Sequence, residues 1–430
     1  MQKQEKFCIY AKKVVPLRTF YVYASLRMEN YAITIMLTAI CFGFLDLLTD
    51  RWPAVQRQLF PIVTFVLYFL CVIAYFYGPD ILTYVPHYET IGSLSEVWYE
   101  KDNKFELGYS LFCSGLHGLG LSYWWMTCVI KTLYFTAIWL LLRQLPKRQI
   151  FALSCVVLTD INLIMHETRQ CLAVSFFIFM ILLLQYRRYL WAVLCAVVAV
   201  SMHKSGFMPV GLTICSIVIY RTRQYSVIYT LLTIVLLVLI TLPVQRISIT
   251  LVEGLPFPED YISSLAHHLS VGLQFQTVAI IYLAILMAFS LYLSYDSTRR
   301  YTWIAFMALA GMAVVVLLYP YYFLLIRIRS YFVPFIVYYL VLVLSDDQRT
   351  QAVPYGQMIK QALMLIVLFF YIHVAVSQER GARLLHSPVF RASTVLELRK
   401  VDSRQVRNRQ MKRAYKYWKE DYMQRAKSTL

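Results

Sequence analysis

Charge is scarce in this chain, and acid is scarcer than base. Only 15% of the 430 residues are charged, with 23 Asp and Glu against 41 Lys and Arg. A soluble domain carries about 25% charged residues, so a soluble globular chain is excluded. Glycine and proline number 14 each, too few for a collagen-like or low-complexity chain. Nine cysteines stand singly, mostly inside apolar runs, with no CxxC pair. That removes a disulfide framework and a metal cluster, and leaves the cysteines as small apolar side chains. No P-loop, GxGxxG, GxSxG or HExxH occurs, so the chain does not burn ATP itself and carries no recognisable protease or redox site. No nucleic-acid motif accompanies the basic balance, and nucleic-acid binding is set aside.

Hydrophobic residues make up 60% of the chain, and the mean hydropathy is +0.58. They fall in blocks of about 18 to 23 residues, each long enough to cross a bilayer core of about 30 Å. The expected fold is all-α: a polytopic integral membrane protein of about twelve transmembrane helices with a basic C-terminal tail. The expected spans are 31–48, 60–78, 121–142, 151–166, 171–186, 189–202, 207–220, 225–243, 274–295, 302–320, 328–344 and 360–378. Three parts follow. Residues 1–30 form a basic N-terminal segment with no cleavable signal expected. Residues 31–378 form the membrane domain, with outer loops 79–120 and 245–272. Residues 379–430 form the tail, where fourteen Lys and Arg face five Asp and Glu. Such a tail suits a surface helix on anionic lipid headgroups.

Short basic loops recur after every second span: Arg143–Arg148, Arg187-Arg188, Arg221–Arg223, Arg299-Arg300 and Arg349–Lys360. The positive-inside rule puts them in the cytoplasm. The alternate turns, which hold the unusual polar residues, then face outward. Twelve spans in this register also leave both basic termini outside, in conflict with the same rule.

Charge at the edge of a bilayer must be paired, hydrated or used. In DINLIMHETRQCLA, Arg169 follows His166 and Glu167 and precedes Gln170. On a continuous helix His166 and Arg169 share a face, with Asp160 and Asn162 below them. Arginine suits a phosphate gripped at two points; the competing reading is a headgroup anchor. His203-Lys204-Ser205 closes another outer helix end, where a histidine binds an anion or shuttles a proton. In YFLLIRIRSYF, Arg327 and Arg329 lie two apart, so a shared face needs a broken turn, which Pro320 permits. The loop from Gly78 to Tyr109 holds Asp80, Tyr84, His87, Glu106 and Tyr109, residue types that contact sugars. Glu106 leads as acid or base because it opens an apolar stretch, where partial burial is expected to raise its pKa. Lys131, mid-span, needs a partner, and Asp160 in the next span is the candidate.

The order GPDILTY, KFELGY, TRQCLA, then MHKSG about 33 residues later, then RIRSYF, resembles the EpsG/Wzy-like family of bacterial exopolysaccharide and O-antigen polymerases. The likeness covers roughly residues 60 to 345 and omits the N-terminal segment and the tail. It implies a metal-independent membrane glycosyltransferase that joins oligosaccharide repeat units carried on polyprenyl pyrophosphate, at the outer face of the cytoplasmic membrane. Arg169 and Arg327 would hold the pyrophosphate, and between the two RIRSYF arginines the family pattern favours Arg327. Glu106 would deprotonate the acceptor hydroxyl, with Asp80 and Glu167 as alternatives. His203, Gln170, Tyr109, Tyr84 and Lys204 complete the expected substrate-binding set. No cofactor, nucleotide or nucleic acid is implied. The implied partners are the lipid-linked oligosaccharide, membrane lipids, a chain-length regulator and a flippase. Two rival readings are kept: a transporter or flippase for lipid-linked sugars, and a membrane acyltransferase with His203 as base.

Overall fold

The computed structural model describes residues 31–49, 52–75, 80–99, 105–222, 303–318, 322–345, 356–382, 393–394, 412 and 415. The expected spans 225–243 and 274–295 and the outer loop 245–272 lie outside them. The described chain is helical: α1 (Tyr31–Leu48), α2 (Pro53–Ile73), α3 (Ile81–Thr90), α4 (Leu94–Tyr99), α5 (Leu107–Gly118), α6 (Tyr123–Leu142), α7 (Gln149–Thr159), α8 (Ile161–Met165), α9 (Thr168–Gln185), α10 (Tyr189–Met202), a 3₁₀ turn (Lys204–Gly206), α11 (Phe207–Thr222), α12 (Trp303–Leu317), α13 (Tyr322–Leu344) and α14 (Gly356–Ala382). Helices stand at ten of the twelve expected places. Five are long and apolar enough to cross a membrane by length and composition: Pro53–Ile73, Tyr123–Leu142, Thr168–Gln185, Leu325–Leu344 and Met358–Ala375. Residues 79–120 are not an irregular loop, since α3, α4 and α5 fill most of that stretch with short helices.

Helix α9 is the central element. Its sequence, TRQCLAVSFFIFMILLLQ, is apolar all round after the first turn, the pattern of a helix enclosed by others. It packs against α6, α10, α12 and α13. Phe177 sets the contact with α13, edge-to-face on Tyr331 at 5.6 Å and on Phe332 and Phe335 at 5.9 Å each. Such ring pairs add about 0.5–1.5 kcal/mol each beyond their burial.

The expected single span over 151–166 is broken at Asp160, where α7 ends and α8 begins. The break is held from other helices. Tyr134 donates its hydroxyl to Asp160 Oδ2 at 2.9 Å, and Arg329 donates to the Thr159 carbonyl at 3.4 Å. The expected Lys131–Asp160 pair does not form. Lys131 instead donates to the Cys71 carbonyl at 2.6 Å and ties α6 to α2. A carbonyl near the end of α2 is exposed to this donor because helix ends lack internal partners.

The two ends of the bundle differ in chemistry. Gln185, ending α9, donates to Gln144 just past α6 at 3.3 Å, so the basic loops around Arg143–Arg148 and Arg187-Arg188 share one end. There Arg148, with φ of 64°, donates to the Asp46 carbonyl, and the Phe151 N–H donates to Asp46 Oδ2 at 3.1 Å. Arg169, in the first turn of α9, lies at the other end. Trp124 Nε1 donates to the Val72 carbonyl at 3.0 Å there, placing the end of α2 beside the start of α6. Ala74–Tyr75 then pairs antiparallel with Ser393–Thr394, the single strand pairing among the described residues.

Candidate functional site

The polar residues expected to act gather at the end of the bundle away from the basic loops. Two short-range devices assemble them. Gly108, in the first turn of α5, lies against the end of α10: a Cβ added there would meet the Ser201 carbonyl at 2.7 Å and its Cβ at 2.6 Å. This close approach brings Glu106, just before α5, to the turn after α10. Glu106 Oε1 accepts from the Lys204 N–H at 3.1 Å. The second device is Ser205, whose Oγ lies 3.0 Å from the Tyr331 hydroxyl and joins that turn to α13.

Arg169 is the centre of the cluster and is mostly buried. Its Nη1 meets Glu106 Oε2 at 2.5 Å, and its Nε donates to the Tyr84 hydroxyl at 3.1 Å. Its guanidinium carbon sits 4.4 Å from the centre of the Phe105 ring and 5.3 Å from that of Tyr84. One ionic bond, one neutral bond and two aromatic faces fix its plane. Tyr109 lines the wall behind, buried, its hydroxyl 3.4 Å from Thr168 Oγ1.

The electrostatics follow from this packing. Burial works to raise the Glu106 carboxyl. The Arg169 guanidinium and the backbone N–H groups of Glu106 and Lys204 outweigh it and leave the carboxyl below its ordinary value. The expectation of a raised Glu106 is thereby corrected: an opposite charge and two donors to the ionised form win over desolvation. His203 is pushed down to about 4, chiefly by burial, with Arg169, Arg327 and Lys204 adding to the effect and Glu106 opposing it. Its Nδ1 accepts the Ser205 N–H at 3.1 Å and lies 2.5 Å from Ser205 Oγ. An Nδ1 that accepts an amide proton leaves the neutral ring with its proton on Nε2, so His203 presents a hydrogen-bond donor rather than a base.

His166 and Arg169 do not share a helix face. Helix α8 stops at Met165 and α9 starts at Thr168, so His166 turns to Asp80, 3.7 Å away, while Arg169 turns to Glu106. Glu167 sits between them, half-buried. Burial raises its carboxyl, Asp80 adds to that, and His166, Arg327 and Arg329 oppose it. Gln170 is buried and donates its amide to the Arg327 carbonyl at 2.6 Å, joining α9 to α13.

The two arginines of RIRSYF separate without a broken turn, because α13 runs unbroken from Tyr322 to Leu344. Arg329 points to Thr159 below the site. Arg327 is exposed, beside His203 and Glu167, and its guanidinium makes no hydrogen bond among the described residues. Lys204 is exposed likewise, and among the described residues only its backbone is engaged.

Three participants were not singled out in the sequence: Phe105, Ser205 and Tyr331. Phe105 adjoins Glu106 in KFELGY, and Ser205 adjoins Lys204 in MHKSG, so both lay within the quoted motifs. Tyr331 carried no signal of its own.

The sequence pattern of the EpsG family matches residues 59–385. No curated protein and no solved structure matches the chain.

Proposed function

The chain belongs to the EpsG family, and from that premise we propose that it is a membrane glycosyltransferase. It joins oligosaccharide repeat units carried on polyprenyl pyrophosphate at the outer face of the bacterial cytoplasmic membrane. The observation that carries this reading is the pairing of a carboxylate with a set of cations at one end of a membrane bundle. Glu106 and Arg169 are in contact, and Arg327 and Lys204 stand exposed beside them.

Glycosyl transfer from a lipid pyrophosphate needs two things. A base must take the proton of the acceptor hydroxyl. Positive groups must stabilise the charge that grows on the leaving pyrophosphate. Glu106 is assigned the first role. Arg169, Arg327 and Lys204 are assigned the second, with the His203 Nε2–H as a neutral donor to the same anion. Tyr84 and Phe105 position the Arg169 guanidinium, Gln170 positions Arg327, and Tyr109 holds the wall. Asp80 and Glu167 belong to the rim, where His166 meets Asp80. The donor already carries the energy of the bond to be made, so the proposed reaction uses no metal or nucleotide.

The rival readings fit the geometry less well. A transporter needs charge along a path between the faces. Lys131 and Asp160, the mid-membrane candidates, are spent on the Cys71 carbonyl and the Tyr134 hydroxyl. An acyltransferase using His203 as base needs a basic ring, and that ring has its Nδ1 occupied and its protonated form disfavoured.

The test is the size distribution of surface glycan in a strain lacking the gene, complemented with wild type or with Arg169→Ala. Wild type restores the polymer ladder, while Arg169→Ala leaves single repeat units outside the cell. A normal ladder with Arg169→Ala refutes the assignment. Units retained on the cytoplasmic leaflet of the deletion strain point to transport.

A further inference from the structure

Both oxygens of Glu106 are occupied. Oε2 meets Arg169 at 2.5 Å and Oε1 accepts from the Lys204 amide at 3.1 Å. Each oxygen keeps a second lone pair, so an acceptor hydroxyl can reach the base, but it finds a carboxylate whose basicity the guanidinium holds down. Among the described residues Arg169 has four attachments, and they differ in kind. Its contacts with the Tyr84 hydroxyl, the Tyr84 ring and the Phe105 face are to neutral groups, while the bond to Glu106 is ionic. A pyrophosphate competes only for the ionic one. It carries more negative charge than a single carboxylate and accepts two parallel bonds from a guanidinium. Tyr84 and Phe105 keep the guanidinium in place while its ionic partner changes.

Building on the glycosyltransferase reading, we infer that the Arg169–Glu106 pair is a latch operated by the donor. The pyrophosphate of the lipid-linked donor takes over the ionic bond of the guanidinium, and Glu106, so released, becomes free to accept the hydroxyl proton. The step then balances. The acceptor O–H proton passes to Glu106, its oxygen bonds to the anomeric carbon, and the carbon–oxygen bond to pyrophosphate breaks with its electron pair on the phosphate oxygen. Arg169, Arg327 and Lys204 face that oxygen.

Among the described residues no other cation bonds Glu106 through its side chain: Lys204 meets it through its backbone N–H, and Arg327 stands exposed without a hydrogen bond from its guanidinium. His203 stays neutral, and Tyr331 reaches it through Ser205 as a hydroxyl. The latch thus imposes an order: the base is idle until a leaving group is bound, and water is not activated at an empty site.

The test uses the full-length protein in nanodiscs, with inorganic pyrophosphate as the probe. A water-soluble carbodiimide modifies protonated carboxyl groups, and its yield on Glu106 is read by peptide mass at about pH 6. Neutralisation of the neighbouring opposite charge is expected to raise the yield about tenfold or more on adding pyrophosphate. Arg169→Gln is expected to start high and not respond. Unchanged or lower labelling of the wild-type protein overturns the latch, whatever the variant does. The assay contains no sugar, so the two readings fail separately. Flat labelling with the ladder lost in Arg169→Ala overturns the latch alone. Labelling that rises beside a normal Arg169→Ala ladder overturns the polymerase reading alone.

Discussion

Gly108→Ala isolates the packing that delivers Glu106 to the site. The new Cβ would lie 2.7 Å from the Ser201 carbonyl oxygen and 2.4 Å from its Oγ. The hydroxyl can rotate away, but the carbonyl belongs to the end of α10 and cannot. Restoring ordinary contact requires α5 and α10 to part by about 0.7 Å. The Glu106–Lys204 bond is 3.1 Å long and does not survive that separation. Overpacking of this kind costs about 1–3 kcal/mol. A misplacement approaching 1 Å at a reacting group lowers rate by up to about a hundredfold. Gly115→Ala is the matched control: it lies on the same helix, and a Cβ there meets nothing within 4 Å. That change favours the helix by up to about 1 kcal/mol. The assay is glycan ladder length at equal amounts of inserted protein, with thermal stability measured in detergent. Gly108→Ala shortens the ladder and lowers the melting temperature, and Gly115→Ala does neither. Equal behaviour of the two variants would refute the claim that α5–α10 contact sets the position of Glu106.

Further outcomes are expected at both ends of the bundle. His203 is already neutral well above about 4, so any inflection near pH 6.5 in glycan synthesis by the wild-type protein should persist unchanged in His203→Gln. For stability the sign is opposite to that of an ion-paired histidine. The unfolded chain binds a proton that native His203 refuses, so its contribution is full above about 6.5 and declines as pH falls toward about 4; thermal melts across that range, compared with His203→Gln, check this. At the other end of the bundle, Arg187 and Arg148 have φ of 59° and 64°, where side chains other than glycine are strained. Arg187→Gly should stabilise by up to about 1 kcal/mol. Arg148→Gly should destabilise, because it relieves the same strain but deletes the donor to the Asp46 carbonyl. Melting temperatures shifting in opposite directions would show it.

The bundle was legible where apolar length alone decides, as in α1, whose expected span 31–48 coincides with its helix. The break at Asp160 was not legible. The groups that stabilise it, Tyr134 and Arg329, come from other helices, and periodicity along one segment cannot register them. The error over Glu106 has the same origin. Its sequence neighbours are apolar and argue for a raised carboxyl, while the charge that lowers it, Arg169, arrives from 63 residues away. Residues with conspicuous chemistry, such as Arg169 and His203, could be found as outliers in an apolar chain. Tyr331 could not, because this chain has 34 tyrosines, and only its neighbour across the fold sets it apart.

The pairing of Ala74–Tyr75 with Ser393–Thr394 bears on how the protein is oriented during synthesis. It places the departure of the C-terminal tail at the site end, opposite the short basic loops. Eleven Lys and Arg against four Asp and Glu follow Thr394. Orientation by positive charge is decided mainly by short loops and early helices. A tail that leaves at the site end therefore sets its charge against that of the short loops, and the bundle's direction is fixed by the loops and early helices outweighing it.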